Sequence, residues 1–257
     1  MDLDSLPVKN GFRMRGEAVT RLETLVDAAF AFALSMLVIS VGTLPKDVPE
    51  LFLALHRLPT FAACFLIVVV FWLAHNRWSR RYGLDDAKTT GLSLALVFTV
   101  LVFVFPLRIV MSGGMNSMTG GWVPSEMLVR GMEDLQGCFI VYGAGFCVLS
   151  AIIVQLNRIA LKRGSELGLD AYEVLCTEEE IGAFRNLVLV GIASSTLAFF
   201  LRHSEVRALA GLPGFLYGTL GFTQTWHHRR AGARRRALVE SGAVVRGGRV
   251  LTRGDID

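Results

Sequence analysis

The chain has 257 residues, is 53% hydrophobic and carries a formal net charge of +4, with a mean hydropathy of +0.50. This is too apolar for an ordinary soluble domain of that length. The small positive balance does not point to nucleic acid, because the cations follow a loop pattern instead of forming a patch.

Six stretches without Asp, Glu, Lys, Arg or His run over 28–45, 58–74, 89–107, 135–157, 186–201 and 208–226. With a flanking turn, each reaches or nearly reaches the roughly 20 residues that cross a hydrocarbon layer as a helix. None alternates with period two, so helices and not a barrel are expected. The fold class is all-α, a polytopic membrane protein with six transmembrane helices.

In chain order, residues 1–20 predict a polar, poorly ordered tail without a cleavable signal pattern. The first span starts near Arg21 and ends near Gly42, where Gly-Thr-Leu-Pro breaks it. Pro49 and Glu50 open the second helix, and Pro59 bends or delays it on the way to Ala74. A basic turn follows, bracketed by Trp72, Trp78 and Tyr82, which suit a membrane–water boundary. Asp85 and Asp86 mark the start of the third helix, which is expected to stop around Pro106.

Residues 111–125 read as an outer loop. The fourth span begins after Glu133 and Asp134, and Gly137, Gly143, Ala144 and Gly145 allow a neighbouring helix close to it. Residues 158–185 predict a charged connector, with Thr177 and Glu180 capping the fifth helix. The sixth span carries Pro213, Gly214, Gly218 and Gly221. Three units follow: a cytoplasmic tail 1–20, a six-helix channel unit 21–226 and a basic cytoplasmic tail 227–257. Arg229–Arg236 in that tail reads as a positive flank that sets topology, within reach of anionic headgroups.

Loop charge fixes the orientation. With both ends in the cytoplasm, 20 of the 26 Lys and Arg residues fall on the cytoplasmic side. Only Lys46, Arg57, Arg108, Arg130, Arg202 and Arg207 lie outside. This satisfies the positive-inside rule. The four cysteines show no CxxC or Cys/His spacing, so no metal site and no cofactor are expected.

Asp27 is the anomaly. It lies about a turn inside the first span, and a carboxylate at the centre of a membrane helix costs about 2.5–3.5 kcal/mol. Such a group faces protein or water and finds a partner. Arg21 is six positions back, about 240° round the helix at roughly 100° per residue. His75, at the end of the second helix, is therefore the expected partner.

These residues resemble the transmembrane protein 175 potassium channels of bacteria and endolysosomes. That family's first helix carries Arg, three residues, then Phe-Ser-Asp, followed by a small residue and an apolar run. Arg21 and Asp27 stand at that spacing, followed by Ala28, Phe30 and Ala31, while Leu25-Val26 replaces Phe-Ser. Phe71-Trp72-Leu73-Ala74-His75 and a third helix ending Phe105-Pro106 continue the likeness over about residues 15–110. Arg21, Asp27, Trp72 and His75 are thus the motif residues.

The resemblance implies six-span subunits assembled as homotetramers, with first helices around a central pore lined at Phe32, Ser35, Met36 and Ile39. Positions 32, 36 and 39 also form one helical stripe by spacing alone. Four apolar stripes around an axis would gate by dewetting. The expected function is a passive cation channel, permeable to potassium with modest selectivity, in the bilayer of a bacterial inner membrane.

Two alternatives remain at this point. One is a non-conducting scaffold or sensor, since Phe32 is bulky. The other is a secondary transporter, although no inverted repeat is visible. An enzyme is not expected: the spans hold no HExxH, no Gly-x-Ser-x-Gly and no Asp pair.

Overall fold

The computed structural model describes the chain except residues 1, 2, 4, 17, 40–44, 127, 128, 207, 208, 247, 248 and 257, and the Ile39 side chain. Among the described residues the order is β1 (Val8–Lys9), β2 (Phe12–Arg13), α1 (Arg21–Ile39), α2 (Val48–Leu55), α3 (Leu58–Tyr82), α4 (Ala87–Met118), α5 (Met132–Lys162), α6 (Ala171–Leu201), α7 (Leu212–Glu240), β3 (Val245–Arg246) and β4 (Arg249–Val250). The strands form two antiparallel hairpins, β1 with β2 and β3 with β4.

The chain is all-helical apart from those hairpins. Four helices, α3 to α6, are long and apolar enough to cross a membrane. The other two apolar runs fall on α1 and on the first half of α7. The expected second helix is divided: α2 is capped by Asp47, whose side chain accepts from Glu50 N, and Pro59 sits in the first turn of α3. There its missing N–H has no intrahelical partner to lose.

α4 does not stop at Pro106 but runs on to Met118. Phe103, Val104 and Leu107 are buried on either side of the proline, and packed neighbours carry a span through a lost backbone bond. The outer loop therefore starts some eight residues later than residue 111. The charged connector of 158–185 is also mostly helix. α5 extends to Lys162, and α6 begins at Ala171 under a reciprocal capping box of Asp170 and Glu173. Thr177 is not a cap; its hydroxyl lies inside α6, donating to Glu173 O at 2.6 Å and sharing a hydrogen bond with the Tyr82 hydroxyl at 2.7 Å. Asp86 does cap α4, accepting from the N–H groups of Lys88 and Thr89.

α5 packs most extensively against α6, and α7 lies on α6. Gly143 makes the first contact possible: a Cβ there would stand 2.1 Å from Ser195 Oγ. α1 packs on α3 and α4. Its buried side carries Glu23, Val26, Phe30, Ala33 and Leu37, at spacings of three and four, one continuous stripe.

The two chain ends are not loose tails. Phe12 is fully buried, edge-on to Tyr82 at 5.7 Å between centroids, with Arg81 over its other face at 4.7 Å. Glu173, at 0% exposure, receives Arg13 at 2.8 Å and Arg15 at 2.7 Å. Arg246, from the other hairpin, bonds Asp170 at 2.6 Å and donates to Gly11 O at 2.8 Å. Arg13 and Arg15 thus work as fixed bidentate forks, and both ends fasten to the start of α6. Backbone bonds from Arg15 and Gly16 to the carbonyls of Arg81 and Arg80 tie the same segment to the end of α3.

Candidate functional site

α1 starts under a capping box that the motif reading did not use. Glu23 N donates to Thr20 Oγ1 at 3.2 Å, and Thr20 N donates to Glu23 Oε2 at 3.0 Å. The Thr-x-x-Glu signal was present in the sequence. This fixes where the helix begins, and so which side each later residue faces.

Asp27 points away from the buried stripe and is exposed in the single chain. The Trp72 indole N–H donates to its Oδ1 at 2.8 Å. This corrects the expected pairing with His75. The His75 ring is 3% exposed, and its Nε2 shares a hydrogen bond with Ser93 Oγ of α4 at 2.9 Å. Three residues on one helix place Trp72 and His75 on the same general side, but His75 turns inward to α4 while Trp72 reaches across to α1. Arg21 is exposed at the first position of α1.

Further along α1, Phe32 is 56% exposed. Ser35 is exposed too, with its hydroxyl returned to Ala31 O at 2.9 Å. Met36 is half-buried against the core. Ala28, Phe32 and Ser35, spaced i, i+4 and i+7, therefore form the middle of the uncovered face, and Met36 stands at its edge. The Ile39 side chain lies outside the described residues.

Near the C-terminal end of α1, Arg108 of α4 is 7% exposed. It donates to Leu37 O of α1 at 3.3 Å and pairs with Glu126 at 2.5 Å. Sequence reading placed Arg108 among the outer cations and did not use Glu126. Ser93 gave no signal at all, being one hydroxyl in an apolar run. No group of three or more His, Cys, Asp or Glu side chains able to hold a metal ion occurs among the described residues.

α1 is thus packed on α3 and α4 along its buried stripe and tied to them by Trp72 and Arg108, while Ala28, Phe32 and Ser35 on its opposite side are left open. Three comparisons bear on this arrangement. The family profile described as "Endosomal/lysosomal potassium channel TMEM175" matches residues 21–106, from the start of α1 into α4. A protein of Marivirga tractuosa named "Potassium channel" is 29% identical over 212 residues, covering 80% of this chain and 85% of that protein. The crystal structure of a variant of the potassium channel MtTMEM175, in complex with a nanobody–MBP fusion protein, superposes with a TM-score of 0.73 at 27% identity. That match covers 89% of this chain and 100% of the other. The profile, the bacterial relative and the shared fold agree with the motif residues in α1 and α3: the chain is a helical membrane protein similar to the TMEM175 potassium channels.

Proposed function

We propose that this protein is the subunit of a potassium-permeable channel whose conduit is lined by α1. The observation that carries the reading is the two-sidedness of that helix. Val26, Phe30, Ala33 and Leu37 are buried at 0 to 1% exposure, yet the opposite side presents Ala28, Phe32 and Ser35 to nothing within the subunit. A face with a phenylalanine and a hydroxyl, on a helix held by its neighbours on one side only, suits a narrow apolar ring around an axis shared by copies of the chain. Such a ring passes ions when it widens enough to wet.

In this reading four copies assemble, six segments of each cross the membrane of a bacterial cell, and both ends lie in the cytoplasm. The loop charge pattern supports that orientation. Ser35 offers a hydroxyl to a partly hydrated cation, and no charged side chain stands on the uncovered stripe between Phe32 and Val38. Selectivity among monovalent cations is then modest. Ile39 and Met36 complete the constriction, and Asp27 with Trp72 sets the rotation of the helix below it.

The test is flux from liposomes loaded with potassium and diluted into sodium. The wild-type chain should dissipate the gradient faster than empty vesicles. Phe32→Ala, which removes the widest apolar side chain of the stripe, should raise the rate at least several-fold. Equal rates for empty vesicles, wild type and Phe32→Ala would mean that the chain does not conduct.

A further inference from the structure

The outward face of α7 changes chemistry at Trp226. Phe215, Phe222 and Trp226 are 75%, 77% and 50% exposed. Seven and four residues apart, they lie on one side of the helix at roughly 100° per residue. The same side then passes through Arg229, Arg230, Ala233 and Arg236, all exposed. The opposite side is closed. Gln224 donates to Ala183 O at 3.0 Å, the His227 ring bonds Glu179 O at 2.9 Å, and Arg235 pairs with Glu179 at 3.0 Å. Ala231 and Val239 are buried there. α7 is therefore held in one rotation, and its apolar stripe and its basic stripe are continuous.

An exposed aromatic column that ends in tryptophan marks the edge of the hydrocarbon. Arg230 already sits at that edge, with its guanidinium 3.6 Å over the Trp226 ring. At about 1.5 Å of rise per residue, Arg229 and Arg230 lie about 5–6 Å beyond Trp226. The headgroup layer on each side is on the order of 5–7 Å deep, from the ~30 Å core and the ~40–45 Å full thickness. Both arginines therefore stand inside it. Arg236 lies about 15 Å past Trp226, beyond contact but within about two Debye lengths of the surface. Arg229, Arg230 and Arg236 join no ion pair within 4 Å among the described residues, whereas Arg235, turned the other way, does.

We propose that this stripe, centred on Arg229 and Arg230, binds the phosphate groups of anionic phospholipids in the leaflet that α7 enters. Flat guanidinium forks match phosphate oxygens in pairs. The inference rests on the chain spanning a bilayer and not on ion conduction, so it can fail while the channel reading stands. It also differs from a positive flank that only sets orientation during insertion, because such a flank would not make the folded protein distinguish one phospholipid from another.

Native mass spectrometry of the full chain in neutral detergent, titrated with phosphatidylglycerol or phosphatidylcholine, reads the difference. Each basic residue near the surface adds about fivefold to binding of the anionic lipid, so the pair predicts a preference of about 25-fold for phosphatidylglycerol. Arg229→Gln with Arg230→Gln should reduce that to within about threefold. Lys9→Gln with Arg249→Gln removes equal charge from the exposed hairpins and should leave it intact. Arg229→Lys with Arg230→Lys should fold as wild type and keep most of it. Three results would overturn the proposal: no lipid preference in wild type, an unchanged preference in the double glutamine variant, or equal loss in the hairpin control. A fourth would be an Arg230→Cys variant that cross-links to a second copy in phosphatidylcholine nanodiscs, which would make this face a subunit contact.

Discussion

At the scale of single residues, the hydrogen bond from Trp72 to Asp27 ties the first half of α1 to α3. The carboxylate accepts from a neutral donor at 2.8 Å and is exposed in the single chain. An indole N–H to a partly solvated carboxylate contributes about 1 kcal/mol. A double-mutant cycle of Asp27→Ala with Trp72→Phe should therefore show a coupling of about 1 kcal/mol in unfolding free energy. The cycle of Asp27→Ala with Ser93→Ala should be additive within about 0.5 kcal/mol, because Ser93 serves His75. Strong coupling in the second cycle and none in the first would restore His75 as the partner. Both residues of the true pair were legible in the sequence, Asp27 by its cost in an apolar run and Trp72 by its place at a boundary. Their pairing was not, because helix rotation depends on where α1 and α3 start. The capping box of Thr20 and Glu23 and the first-turn Pro59 set those starts.

At the scale of elements, the apolar runs located the helices but not their ends. α5 and α6 extend well past the uncharged stretches, because hydropathy marks only what meets lipid and says nothing of helix that meets protein. The charged remainder is made tolerable by long-range pairs such as Arg77 with Glu180 at 2.8 Å and Arg235 with Glu179 at 3.0 Å. The same blindness hid the N-terminal hairpin, where only Phe12 among Lys and Arg hinted at a buried surface. Glu173 is the centre of that attachment. Glu173→Ala would leave Arg13 with Asp170 at 3.3 Å and would take from Arg15 its carboxylate partner at 2.7 Å, and breaking a buried pair costs about 3–5 kcal/mol. The variant should release its N-terminal hairpin first, read as early proteolysis near residues 8–16 with the remaining helices protected. An unchanged digestion pattern would show that the hairpin is held without Glu173. Gly83 completes the joint. It takes φ +57, and a Cβ there would stand 2.8 Å from Arg15 O, so the turn after α3 and the approach of the N-terminal strand need the same glycine.

At the scale of the whole molecule, the exposed surface has two kinds of apolar face. Phe98, Phe105, Phe199, Phe215 and Phe222 are all more than half exposed and suit lipid, which asks only for apolar area. The α1 face is different, since it mixes Phe32 with the small Ala28 and the hydroxyl of Ser35. If copies gather around it, purified particles should show fourfold symmetry with α1 nearest the axis. Monomeric particles, or α1 turned outward, would remove the basis for a pore. Helical class and membrane character could be read from the sequence because they follow from composition and run length. The separate α2, the continuation of α4 past Pro106 and the closure of both ends onto α6 could not, since each depends on contacts between residues far apart in the chain.

That closure has a consequence for synthesis. Residues 16–20 are a short leash between the hairpin and α1, yet the hairpin's counter-charges, Asp170 and Glu173, come more than 150 positions later, and Arg246 later still. Chains emerge from the ribosome N-terminus first. The hairpin ahead of α1 therefore gains its carboxylate partners only once α6 has begun, long after α3 and α4, on which α1 packs, have been made.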